Sequence, residues 1–314
     1  MVSRSQLNCA QGRPATDGDA WWRPIWKILV YAAMMIALMI PAFVVGVGAS
    51  RVLPGDELFW VTAGGLIAAV GAGWTMLARY EDRSLGALGF AWTRSTPREL
   101  AGGMAMGVFP LALVVGLGAM AGMIAYRPMG GTLGDHLLAI GSHLSLLAVA
   151  AAVEEAIFRG YPFQLLVAWI GPVLATILAS ILFSLAHAFN PHAGPLALVN
   201  IFLAGVMLSI AYLRTRSLWF ATAVHLGWNW GMASLLALPV SGLDFFELPL
   251  YQAVTVGPDW ITGGAFGPEG GVIGTVAKLL VLWAVWKMPG FDASPQVRAS
   301  RPLVEARMRG TFPS

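Results

Sequence analysis

Runs of apolar residues as long as a bilayer is thick recur from Trp26 to Trp286, and no polar stretch between them is long enough to form a separate domain. A helix needs ~20 such residues to cross ~30 Å of hydrocarbon. On that ruler the sequence offers eight spans, at residues 26–48, 58–79, 99–126, 136–159, 172–189, 196–213, 217–237 and 271–287. The expected fold is all-α, a polytopic membrane protein of about eight transmembrane helices. Composition agrees: 11% of the 314 residues are charged, against roughly 25% in a soluble domain, too few to clothe a water-facing surface. Pro41 and Pro110 fall inside spans and should kink rather than end them, because neighbouring helices can satisfy the freed carbonyls.

Three regions follow: a polar N-terminal tail at 1–24, a transmembrane helical domain at 25–288, and a basic C-terminal tail at 289–314. The last, rich in Pro, Ser and Arg, reads as a disordered segment near anionic lipid. The single cysteine, Cys9, lies in the first tail and excludes an internal disulfide. The first apolar run, about 22 residues, is too long for a signal-peptide core. The formal net charge is +3, with the basic residues at the ends and in short loops rather than in a patch, so nucleic acid is not an expected partner.

Sorting the Lys and Arg residues by loop gives an orientation. One side collects 15 (Arg4, Arg13, Arg23, Lys27, Arg79, Arg83, Arg94, Arg98, Arg214, Arg216, Lys287, Arg298, Arg301, Arg307 and Arg309), whereas the other keeps 2, Arg51 and Arg127. The positive-inside rule then places both termini in the cytoplasm. The loop acids Asp56, Glu57, Asp135, Asp244, Glu247, Asp259 and Glu269 fall on the exterior side. The loop 240–270 on that side is long and rich in Gly, Pro and aromatics; it reads either as a lid or interfacial loop or as a tolerated connection. His192, in the exterior loop after Phe189, reads as surface structure.

Ionisable groups inside apolar spans cost ~2.5 to 3.5 kcal/mol each at the helix centre and need a partner or a purpose. They are few: Glu154, Glu155, Arg159 and His143 in the fourth span, His187 in the fifth, His225 with Asn229 in the seventh, and Lys278 in the eighth. On a helix, Glu155 and Arg159 share a face and can pair, acid N-terminal to base. Glu154 points about 100° away and has no intrahelical cation. An unpaired, desolvated carboxylate is suited to take a proton from water.

His187 is brought to the same level by hairpin arithmetic. Gly171-Pro172 is the natural break, and at 1.5 Å rise Glu154 and His187 lie about 25 and 23 Å from it on antiparallel arms. His225 and Asn229, four apart, project from one face. His225 is only ~12 Å into its own helix, a mismatch that either strong tilt of the helices or projection of the 160–180 hairpin beyond the membrane reconciles; projection is favoured, with Arg159 near the cytoplasmic interface.

These residues form an EExxxR run (Glu154 to Arg159), an FxxxH run (Phe183 to His187) and an HxxxN run (His225 to Asn229). In that order they resemble the CPBP family, the CAAX-protease and bacteriocin-processing intramembrane peptidases that include the Abi proteins. Asn200, Phe202, Leu203 and Gly205 look like the family's less specific third motif, and the resemblance covers about residues 140–235. It implies an intramembrane endopeptidase in which Glu154, with His187, activates the attacking water, His225 and Asn229 steady the oxyanion, and Glu155 and Arg159 support.

The family is often labelled metalloprotease, and Glu154, His187 and His225 are ligand types that zinc would take with an open fourth position. Against zinc, HExxH is absent, and the resemblance implies a glutamate-activated water without metal. A metal-free site with no cofactor is the expectation, with zinc as the alternative. The expected partners are a peptide or protein substrate and membrane lipid. Two rival classes stand beside the protease: an ion- or proton-coupled transporter, for which Lys278 and His143 would serve, and a non-catalytic membrane scaffold or bacteriocin-immunity protein.

Overall fold

In a computed structural model, the structure describes residues 22–308 except Phe245. Cys9, most of the N-terminal tail, Arg309 and the last residues of the C-terminal tail lie outside the described residues. The longer helices among the described residues are α1 (Arg23–Ser50), α2 (Glu57–Tyr80), α3 (Thr96–Met120), α4 (Leu133–Phe158), α5 (Tyr161–Ile170), α6 (Pro172–Ala186), α7 (Pro195–Thr215), α8 (Leu218–Trp230) and α9 (Val272–Lys287). Two short antiparallel strands, β1 (Ile124–Pro128) and β2 (Tyr251–Thr255), pair in the register Tyr126 to Ala253. The all-α expectation holds apart from this ribbon.

Each expected span has its helix, and Pro41 and Pro110 lie inside α1 and α3, which continue through them. Among the described residues, five segments are long and apolar enough to cross a membrane: α1, α2, α3, α7, and Leu133–Ile170 taken as one. The helices for the other three spans, α6, α8 and α9, reach only 15, 13 and 16 residues. Side-chain caps fix several helix starts: Asp56 accepts from Phe59 N–H, Thr132 from Asp135 N–H and Ser217 from Phe220 N–H, relieving donors that helix ends leave unpaired.

Three expectations need correction. The third span does not run to 126: α3 ends at Met120, and 124–128 pairs with a strand far along the chain. Helix α4 ends where the fourth span was expected to end, but the hairpin arithmetic counted an unbroken helix from Glu154 to Gly171, and the chain breaks at Arg159–Gly160. A Cβ at Gly160 would collide with the Ala156 carbonyl, and Pro162 sits in the first turn of the new helix α5, where its missing N–H costs nothing. The expected turn at Gly171 is present, with φ +84°, a left-handed conformation glycine adopts freely.

Nor is the described part of the C-terminal tail a disordered segment. It folds back on the helices: Leu303 N–H donates to Gln164, Arg307 to the Ala168 and Trp169 carbonyls, and Val304 is fully buried. Glu305 lies 3.5 Å from the buried Arg216.

The core gathers around α8, which packs on α3, α4 and α7. Close approach to α3 requires glycine on both sides. A Cβ at Gly107 would strike the Val224 carbonyl, and one at Gly227 the Met104 carbonyl. Small residues that let backbones meet are the usual means of packing helices in lipid, where apolar burial gives no drive. Here they seat the helix that carries His225 and Asn229.

Candidate active site

The three motifs converge on one cavity. Glu154 comes from the last turn of α4, His187 from the C-terminal end of α6, and His225 and Asn229 from α8. Glu154 Oε2 lies 3.8 Å from Nε2 of His187 and 3.8 Å from Nε2 of His225. That atom is buried and makes no hydrogen bond among the described residues, although the side chain is 33% exposed toward the cavity. Antiparallel arms do bring Glu154 and His187 level, but through a broken helix rather than two straight rods.

Glu155 faces the other way, as four-residue spacing to Arg159 requires. Its Oε1 is 3.1 Å from Arg159 Nη1, and both side chains are fully buried. Arg159 is thus enclosed in protein, where Nη2 also donates to the Gly205 carbonyl at 3.1 Å. The same Glu155 Oε1 is 2.9 Å from Nδ1 of His225. A carboxylate paired with a guanidinium accepts, so His225 donates through Nδ1 and turns Nε2 toward Glu154.

His187 is fixed by the same logic from a different partner. Its Nδ1 is 2.8 Å from the Phe183 carbonyl, which can only accept, so Nδ1 carries the proton and Nε2 presents a lone pair to the cavity when the ring is neutral. Phe183 has its own place in the FxxxH spacing. Its ring lies 4.7 Å from that of His187, and the Arg159 guanidinium lies 4.4 Å over its centroid. Asn229 lines the cavity, and no side-chain partner holds its amide among the described residues.

The cavity has a volume of about 390 Å³. Leu58 and Thr62 of α2, Leu147 of α4, Trp228 of α8, and Leu243 and Phe246 of the 240–270 loop are among the residues that form its walls. That loop is therefore neither remote nor purely connective.

Glu269 is the residue most misplaced by sequence. Counted among the exterior loop acids, it is 2% exposed, lines the cavity and pairs with Lys278 at 2.8 Å. Lys278 was the signal: a cation inside an apolar span needs a partner. Asn200, of the third motif, donates to the backbone carbonyls of Glu269 and Gly271 and so ties this segment to α7. His143 meets Ser234 at 3.2 Å, and His192 is exposed as expected.

The zinc alternative finds mixed support. Glu154, His187 and His225 are suitable ligand types, but among the described residues no group of three or more His, Cys, Asp or Glu side chains is placed to hold a metal ion.

The long apolar helices make this an integral membrane protein. Residues 136–231, about a third of the chain and all three motifs, match the family described as Rce1-like, type II CAAX prenyl endopeptidase. The resemblance read from the motifs is borne out over that segment, and it supports a CAAX-type intramembrane endopeptidase acting on a peptide or protein. No curated protein matches the chain.

Proposed function

We propose that this protein hydrolyses a peptide bond near the C terminus of a prenylated substrate, using water activated by Glu154 and His187 without a metal. The observation that carries this reading is the 3.8 Å approach of one buried, unpartnered carboxylate oxygen to two imidazole nitrogens from other helices. Glu154 takes a proton from water while His187 Nε2 accepts the water's second hydrogen bond. The resulting hydroxide attacks the scissile carbonyl carbon.

Negative charge then develops on the carbonyl oxygen. Asn229 Nδ2 donates to it, and so does His225 Nε2 in its cationic form, flanked by Glu154 and Glu155. Collapse of the tetrahedral intermediate breaks the C–N bond, and the proton held by Glu154 passes to the leaving amine. Glu155 and Arg159 hold His225 in the required orientation. Both termini lie in the cytoplasm, the lipid of the bilayer surrounds the bundle, and the substrate is reached from that side.

The rival readings have less to stand on. A proton or ion path needs charged groups free to exchange, yet Lys278 is tied to Glu269 and His143 sits against Ser234. A scaffold or immunity protein gives no reason for an unpartnered carboxylate lining a cavity. The test is incubation of the purified protein with a farnesylated peptide ending in a CAAX sequence, followed by mass spectrometry. Release of the C-terminal tripeptide supports the proposal; an intact peptide, with a folded protein and a range of CAAX termini tried, contradicts it.

A further inference from the structure

We infer that the buried pair Glu269 and Lys278 positions the oxyanion-binding face of α8 through Trp228, an inference that rests on the function proposed above.

One carboxylate is held by three donors. Glu269 Oε1 accepts from Lys278 Nζ at 2.8 Å and from Trp228 Nε1 at 3.0 Å, and Oε2 accepts from Ser241 Oγ at 2.5 Å. Lys278 Nζ also lies 4.6 Å over the Trp228 ring. Trp228 is thus gripped at its indole nitrogen and on its face by the two halves of a buried ion pair. It stands between His225 and Asn229 on α8, so its grip fixes the rotation of the helix that presents both.

The backbone around Glu269 is itself anchored. Asn200 donates to the carbonyls of Glu269 and Gly271 at 2.8 and 3.0 Å, and accepts from Thr275 Oγ1 at 2.7 Å. The chain of contacts therefore runs from α7 and α9 through Glu269 to Trp228. Stability alone gives no account of the charges, because exchanging a buried ion pair for apolar side chains is often neutral or stabilising. A fixed orientation of the groups on α8 does account for them, since misplacing a catalytic group by an ångström is enough to slow turnover.

The experiment is a double-mutant cycle on the full-length protein in detergent, using the farnesylated CAAX peptide. Glu269→Leu with Lys278→Met removes both charges together, and Trp228→Phe removes the indole donor and shrinks the ring that Lys278 lies over. Each is measured alone and with Asn229→Ala, with Glu154→Gln run alongside. The expected result is a loss of about 10-fold in kcat with KM within about 2-fold, smaller but still present when Asn229 is already Ala, because coupled residues fail to add and His225 on the same face is still displaced.

An unchanged kcat in a folded variant, or equal losses in both backgrounds, overturns the inference. If the charge-removed variant does not fold, Trp228→Phe carries the same comparison and decides it by the same criteria. Cleavage that survives Glu154→Gln instead removes the proposed mechanism, whatever Glu269 does.

Discussion

Glu155 Oε1 lies 2.9 Å from Nδ1 of His225, joining adjacent acids of one motif to different tasks. Glu154 opens onto the cavity, while Glu155 is engaged by an imidazole and a guanidinium. Replacing Glu155 by Gln keeps an acceptor for Nδ1 but loses the charge that supports a cationic His225. Turnover should fall about 10- to 100-fold, in line with the loss of one charge-based contribution to the transition state. Steady-state cleavage by a folded Glu155→Gln protein is the check, and a loss below about 2-fold would remove this role.

Arg159 makes a prediction about stability. Arg159→Met deletes a fully buried partner and leaves Glu155 with only the His225 imidazole. Breaking a buried pair from one side costs about 3–5 kcal/mol, so the variant should unfold at clearly lower temperature in the same detergent. A melting temperature equal to that of the wild type would show that the pair carries no such weight.

Asn229 makes the opposite prediction. Its amide is bonded to no side chain among the described residues, so Asn229→Ala should leave folding intact. Loss of one oxyanion donor in a dry site is worth about 3 kcal/mol, or about 100-fold in kcat. Near-normal turnover in this variant would remove Asn229 from the reaction.

Metal content separates the two forms of the mechanism. Purified, active protein should retain full cleavage after dialysis against a strong chelator. Stoichiometric zinc, with activity lost on its removal and restored on its return, would refute the metal-free account.

Much of this site is legible in the amino-acid sequence. The Glu155–Arg159 pair follows from four-residue helical spacing, and the separation of Glu154 from it follows from the next 100° of rotation. The meeting of Glu154 with His187 follows from similar distances to the Gly171-Pro172 break. What the hairpin arithmetic misses is the break at Gly160, although Gly160-Tyr161-Pro162 carries a stop and a start signal. The β1–β2 ribbon is not legible, because 124–128 acquires its structure from a partner at 251–255, and a five-residue strand has too little pattern of its own. The burial of Glu269 is hidden for a related reason. A loop acid looks solvated until the chain folds back, and only the lone cation at Lys278 hints otherwise.

The central claim is that a single glutamate activates water. Glu154→Gln keeps the shape of the side chain and removes its ability to take a proton, so cleavage of the farnesylated CAAX peptide should drop by at least about 100-fold while melting temperature and elution profile stay those of the wild type. Cleavage at the wild-type rate by folded Glu154→Gln protein would contradict the account outright.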